Sequence, residues 1–207
     1  MRPRRLAAVA LTSFALLLPP EGGSHVGAGG ERPSWLPDTV SWLPDSTSYE
    51  NIVTPVWTGT HLVASTSAAG LRGYTVRQVG GMWQAAEAWK NAEASMYMST
   101  PVLADGVLYG LSNKKKGQIV AVDAATGALK WATEGRAADQ AAILLTPAHV
   151  LVLTTGGELV LVRRTPAKYE EERRYTVADS ATWAVPVLLP DGLIVRDASG
   201  VMRLTGS

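Results

Sequence analysis

No cysteine occurs among the 207 residues. That absence excludes a disulfide framework, a thiolate zinc site, a cysteine nucleophile and a lipidated cysteine. Charge of one sign is lacking too: 19 Lys and Arg stand against 18 Asp and Glu, a net of +1. Such a balance gives no electrostatic basis for nucleic-acid or anionic-membrane binding. Charged residues make up only 18% of the chain, too few for a disordered polyelectrolyte, and the glycines follow no strict period, so collagen is excluded. The signatures Gly-x-Ser-x-Gly, His-Glu-x-x-His, Gly-x-Gly-x-x-Gly and the P-loop are all missing. What is present is a 46% hydrophobic chain with 20 Gly and 12 Pro, long enough to bury a sizeable core and punctuated as a β protein is.

The first segment reads as an address. Arg2, Arg4 and Arg5 precede a run from Leu6 to Leu18 whose only polar members are Thr12 and Ser13, and Pro19-Pro20 ends it. A basic start, a short apolar run and a small-residue stretch form a secretory signal peptide. Thirteen residues span ~20 Å as a helix, short of the ~30 Å hydrocarbon core. Cleavage is expected after Ala28, removing residues 1–28 and leaving an extracytoplasmic, periplasmic or secreted chain. An uncleaved leader is the one route to a membrane. Residues 29–50 then form a linker or N-terminal arm carrying the tandem Ser34-Trp-Leu-Pro-Asp38 and Ser41-Trp-Leu-Pro-Asp45.

From residue 51 onward a unit of about forty-five residues recurs. Its mark is a Pro that opens a strand: Pro55, Pro101, Pro147 and Pro186. After each comes a turn and a short apolar strand, beginning at His61, Val107, His149 and Leu193. Two of the turns are Asp105-Gly106 and Asp191-Gly192, the pair that favours a tight hairpin reversal. A second turn follows at Gly70, Gly117, Gly156-Gly157 and Gly200. Another strand comes next, and units one to three add a segment with an aromatic: Trp89, Trp131 and Tyr175. The units are about 51–97, 98–142, 143–180 and 181–207. Unit two is the fullest, with Ala121-x-Asp123-x-x-Thr126-Gly127-x-x-x-Trp131. There Asp123 is suited to accept backbone N–H bonds and Gly127 to supply a positive φ. Four short strands in forty-five residues make one propeller blade, which must stack on neighbours because it cannot bury both faces alone.

The string from Ser99 to Trp131 resembles the repeat of the pyrroloquinoline-quinone-type, or quinoprotein-like, β-propellers. The likeness is nearly complete there. It is partial in 51–91, where Leu71-Arg-Gly-Tyr-Thr-Val replaces the Ala-x-Asp strand. In 143–177 Arg163-Arg-Thr-Pro166 replaces Asp-x-x-Thr-Gly, and 181–207 stops short of its last strand. The resemblance implies an all-β propeller of about four four-stranded antiparallel blades, against seven or eight in most members. Three architectures are open: a half ring completed by a partner or a second copy, a truncated gene product, and a self-closed four-bladed ring. Residues 34–49 are the only N-terminal candidate for a closing strand.

Side chains capable of chemistry have structural explanations. His61 and His149 fall at the same repeat position on different blades, and no carboxylate is placed beside them by sequence; His25 leaves with the leader. Asp105, Asp123 and Asp191 are turn residues by their neighbours, and no Asp-x-Asp-x-Asp-Gly calcium loop occurs. Lys114-Lys115-Lys116 and the run Glu170-Glu-Glu-Arg-Arg174 read as solvated loops or as charge protecting an edge strand. Neither a catalytic residue nor a metal ligand is predicted.

Among relatives of the resembling family, the quinone dehydrogenases hold their cofactor with a full ring, a calcium ion and often adjacent cysteines. The lipoprotein of the outer-membrane barrel-assembly machinery is a non-catalytic binder anchored through a cysteine. Neither cysteine exists here. The expectation is therefore an extracytoplasmic, non-catalytic propeller that binds a protein partner or its own copy, with no cofactor. A fragment of a quinone-dependent alcohol or sugar dehydrogenase, using the quinone with calcium, is the alternative, and a gene product without independent function is the third.

Overall fold

The computed structural model describes residues 52–67 and 69–205. All of them belong to one compact unit. The leader, the linker and the Ser-Trp-Leu-Pro-Asp tandem lie outside the described residues.

Every sheet is an up-and-down antiparallel meander. The first contains β1 (Val56–Trp57), β2 (Leu62–Thr66), β3 (Gly70–Val79) and β4 (Met82–Asn91). The second contains β5 (Val102–Ala104), β6 (Val107–Ser112), β7 (Gln118–Asp123) and β8 (Leu129–Ala132). The third contains β9 (Ala141–Leu145), β10 (His149–Thr154), β11 (Glu158–Arg163) and β12 (Glu171–Thr176). In the fourth, β13 (Val187–Leu189), β14 (Gly192–Arg196) and β15 (Val201–Thr205) make three strands. The only helical element among the described residues is a 3-10 turn at Lys114–Lys116. The architecture is an all-β propeller of four blades.

The stacking follows from side-chain alternation, which sends successive residues of a strand to opposite faces. On β6, Val107, Tyr109 and Leu111 join the core shared with the third sheet, whereas Leu108 between them joins the core shared with the first. On β7, Ile119 and Ala121 go one way, Val120 and Val122 the other. The third sheet repeats the pattern: Val150, Val152, Val160 and Val162 face the second sheet, while Leu151, Leu153 and Leu159 face the fourth. Strands apolar at nearly every position are thus explained, since a middle blade is dry on both faces. Each fully buried Val or Leu contributes roughly 1.5–3 kcal/mol.

The outermost pair of strands carries a β-bulge at one repeated place: after Gly73 in the first sheet, after Ala121 in the second and after Leu161 in the third. Just before the bulge the facing residues are Trp89, Trp131 and Arg173, respectively. Tyr175 therefore does not occupy the tryptophan position of its blade; it lies two residues along, opposite Leu159. Trp89 lies over Gly73 and against Gly127 of the next sheet, and a Cβ on either glycine would come within 2.3 Å of the indole. Trp131 donates its indole N–H to the carbonyl of Thr165 in the next blade at 2.9 Å and meets the ring of Tyr169 edge-on at 5.6 Å.

Three expectations are corrected. Pro147 does not open an innermost strand. It sits in the β9–β10 hairpin, where the Thr146 N–H donates to the His149 carbonyl and the His149 N–H to Thr146 Oγ1, each at 2.9 Å, and β9 instead starts after Gln140. Asp191-Gly192 does not form the reversal either. Pro190-Asp191 makes the turn, and Gly192 is a strand residue paired with Leu189, packed so closely on the Leu204 carbonyl that a Cβ would meet it. The Glu-Arg run is not a loop: Glu171–Arg174 belongs to β12, the exposed outer strand, in keeping with edge protection by charge. Asp105-Gly106 does form its hairpin, with φ of 49° and 74°, the pair of left-handed residues that a type I′ turn needs.

Candidate functional site

The inner segments of all four sheets converge on one cavity of about 560 Å³. Its wall takes Ile52 and Thr54 from ahead of β1, Met98 and Thr100 from ahead of β5, Gln140 and β9 from the third sheet, and Thr182, Trp183 and Val185 from ahead of β13. Neighbouring blades are tied together at this wall. The Thr54 N–H reaches Thr100 Oγ1 at 3.3 Å, the Ala141 N–H reaches Ser99 Oγ at 3.0 Å, and Thr182 Oγ1 donates to the Thr154 carbonyl at 2.5 Å. The threonines are thus occupied in holding blades together. At the mouth Trp183 and Val185 are each 66% exposed, with Ile52 and Met98 also largely open to solvent. Among the described residues no lining side chain is ionisable. What the described lining offers is an apolar rim around neutral hydroxyl and amide groups, the composition of a recognition surface.

The rim residues were not singled out from sequence, yet a signal for them exists. Ile52, Met98 and Trp183 each stand three residues before a repeat proline, Pro55, Pro101 and Pro186, and Thr54, Thr100 and Val185 stand one before. The third blade breaks the rule because Pro147 is displaced into a hairpin.

The remaining signature residues hold turns and are spread over the sheets. Asp123 Oδ1 accepts from the backbone N–H of Ala125 and of Thr126 and from the Thr126 hydroxyl, each at 3.0 Å, and its other oxygen pairs with Lys130 at 3.0 Å. The lysine first, then the Thr126 and Ala125 donors, hold its pKa below the usual carboxylate value. Gly127, at φ 74°, closes the turn by donating to the Asp123 carbonyl at 2.8 Å. Asp105 reaches across to Arg164 of the next blade at 3.0 Å, and Asp191 pairs with Arg203 at 2.6 Å. Sequence reading passed over Asp197, whose Oδ1 accepts from Ser199 and Gly200 at 2.8 Å in the β14–β15 turn. The nearby Ser180 hydroxyl first, then the Ser199 and Gly200 donors, lower its pKa to about 2.

His61 and His149 do lie on separate sheets. The His61 ring nitrogen Nδ1 hydrogen-bonds with the hydroxyl of Thr60 at 3.1 Å. His149 has a carboxylate partner that sequence did not supply, Glu172 at 2.5 Å, brought across from β12. The pair holds the Glu172 carboxyl below its ordinary value. Nearby, Tyr169, Glu171, Arg174 and Glu158 form one chain of charge-assisted bonds, in which burial first and the Glu171 carboxylate second push the Tyr169 phenol up. This network lies on the outer strand, away from the central wall.

A calcium-held quinone needs acidic and amide ligands gathered at one place. Among the described residues no three His, Cys, Asp or Glu side chains assemble to hold a metal ion, and the central wall contributes a single amide, Gln140. The residues present do not fit that group.

No family model and no curated protein matches the chain. Among solved structures it is similar to BamB from Moraxella catarrhalis, with a TM-score of 0.53 and 19% identity over 75% of this chain and 45% of that one. It is similar also to the computationally designed Ika4 protein, with a TM-score of 0.54 and 12% identity over 76% of this chain and 92% of the design. The chain thus spans less than half the length of BamB. Both are β-propellers, and at these identities the likeness is one of fold.

Proposed function

We propose that this protein is an extracytoplasmic, non-catalytic propeller of the pyrroloquinoline-quinone repeat type that binds a protein partner at the mouth of its central cavity. The observation that carries the reading is the cavity rim itself. Trp183, Val185, Ile52 and Met98 present apolar surface to solvent, while the wall behind them holds no titratable group among the described residues. Exposed aromatic and sulfur-containing side chains around a neutral concavity are the composition of protein-recognition hot spots. The basic, apolar and small-residue order of residues 1–28 supports export, and BamB offers a propeller of similar fold.

A photo-crosslinking amino acid in place of Trp183 tests the reading in cells of the native source. The expected result is one discrete adduct, formed outside the cytoplasm and reduced at least tenfold by Val185→Asp. Absence of an adduct would refute the binding role. Calcium- and quinone-dependent dye reduction by the purified chain would refute the non-catalytic role and restore the dehydrogenase-fragment alternative.

A further inference from the structure

The three interfaces between neighbouring sheets are built to one plan, and one of them lacks a part. In the first two, the residue just before the bulge of the outermost strand is a tryptophan, Trp89 or Trp131, lying over a small residue, Gly73 or Ala121. In the third, the same place holds Arg173, exposed, opposite Leu161. Between the third and fourth sheets lies a cleft of about 680 Å³ whose wall includes Leu151, Leu159, Leu161, Leu188, Leu193 and Leu204. Leu188 and Tyr175 border it and are 45% and 49% exposed.

Resting on the protein-binding reading, we infer that this cleft is a second docking site, which takes an indole side chain from an extended segment of a partner protein. The occupant is argued from the molecule itself, since at both other interfaces an indole stands at the strand position that Arg173 holds here, opposite Leu161 of the cleft wall. Charge narrows it further. Arg173 shares the face of Leu159 and Leu161, and among the described residues its charge is met only through the adjacent Glu172 carboxylate, so it favours a carboxylate beside the indole. Residues two apart on a strand point the same way, which makes the recognised pattern Trp-x-Asp or Trp-x-Glu. Among the described residues β15 pairs only with β14, leaving backbone donors and acceptors for an added strand.

The probe is the fluorescein-labelled peptide Thr-Trp-Val-Asp-Thr, amidated at its C-terminus and titrated by anisotropy against the full chain. Saturable binding is expected, lost when its Trp is replaced by Ser and weakened at least fivefold when its Asp is replaced by Asn. The double variant Leu161→Ala with Arg173→Trp rebuilds the arrangement of Ala121 and Trp131, so it should fill the cleft and weaken the peptide at least tenfold. Arg173→Glu, a surface change that leaves the leucines intact, should weaken the Asp peptide at least fivefold and the Asn peptide little. No binding at 1 mM peptide, on the order of the weakest useful affinity, would overturn the inference, as would equal binding by wild type and the double variant. A dimer in light scattering that the double variant abolishes, without peptide binding by the wild type, would also overturn it by naming a second copy as occupant. The Trp183 adduct separates the two readings: if it persists while the peptide fails, only the cleft falls.

Discussion

Removing the indole of Trp131 tests blade-to-blade packing quantitatively. The side chain is buried between the second and third sheets, meets the rings of Tyr109 and Tyr169 at 6.0 and 5.6 Å, and donates to the Thr165 carbonyl at 2.9 Å. Truncating a buried Trp to Ala costs about 3–5 kcal/mol through lost transfer energy and the cavity left behind. Loss of a neutral hydrogen bond adds about 1 kcal/mol. Trp89 is buried in the same way, but its indole N–H has no hydrogen-bond partner among the described residues, so Trp89→Ala carries the cavity cost alone. The expected order is therefore Trp131→Ala, Trp89→Ala, then Trp131→Phe at about 1–2 kcal/mol, with the first two separated by about 1 kcal/mol. Urea unfolding followed by far-ultraviolet circular dichroism reads these differences from shifts in midpoint at unchanged slope. Tyr175→Ala is the comparison, because an exposed side chain at the edge of the fold changes stability by about 0.5 kcal/mol or less. If Trp131→Ala costs no more than Tyr175→Ala, the indole does not bridge two blades and the reasoning fails.

Gly127→Ala combines a positive φ of 74° with a methyl 2.3 Å from the Trp89 ring, and overpacking with backbone strain should cost about 2–4 kcal/mol, measured by the same unfolding assay. Acid lowers stability through Asp197. Its folded pKa is depressed to about 2 from an ordinary 3.8, so its contribution is full above the ordinary value and disappears as pH falls through that window; an Asp197→Asn variant should lose less stability between pH 5 and 2 than the wild type, and equal losses would contradict the assignment. N-terminal sequencing of the exported protein should begin at Gly29, and a chain retaining Met1 to Ala28 outside the cytoplasm would contradict a cleaved leader.

Much of the architecture was legible because a middle blade leaves a distinctive trace. The runs Ile119–Val122 and Leu159–Val162 are apolar on both faces, and turn residues bracket them at blade spacing. Asp105-Gly106 and Asp123-x-x-Thr126-Gly127 could be read from local chemistry, since each turn satisfies itself within a few residues. The reading went astray where local chemistry and blade position part company. Thr146-Pro147 resembles the strand-opening pair of the other units but serves a hairpin, because an innermost strand needs no proline to begin. Tyr175 looks like the third tryptophan-type residue, yet counting along the chain does not register which strand residue faces the bulge, and Arg173 holds the place. The central rim went unread for a different reason: its residues stand at set distances before the repeat prolines, but on segments far apart in sequence that belong together only once the blades converge.

The central claim is that each middle sheet is dry on both faces because blades lean on one another. Nuclear Overhauser contacts from adjacent residues test it most directly, using methyl- and aromatic-labelled protein. Leu108 should contact the group containing Val63, Leu71 and Trp89, while its neighbour Tyr109 contacts Trp131 and the group containing Val150 and Val152. If Leu108 and Tyr109 instead report the same sheet, or one of them reports only water, the strands form a one-faced layer and the propeller account is wrong.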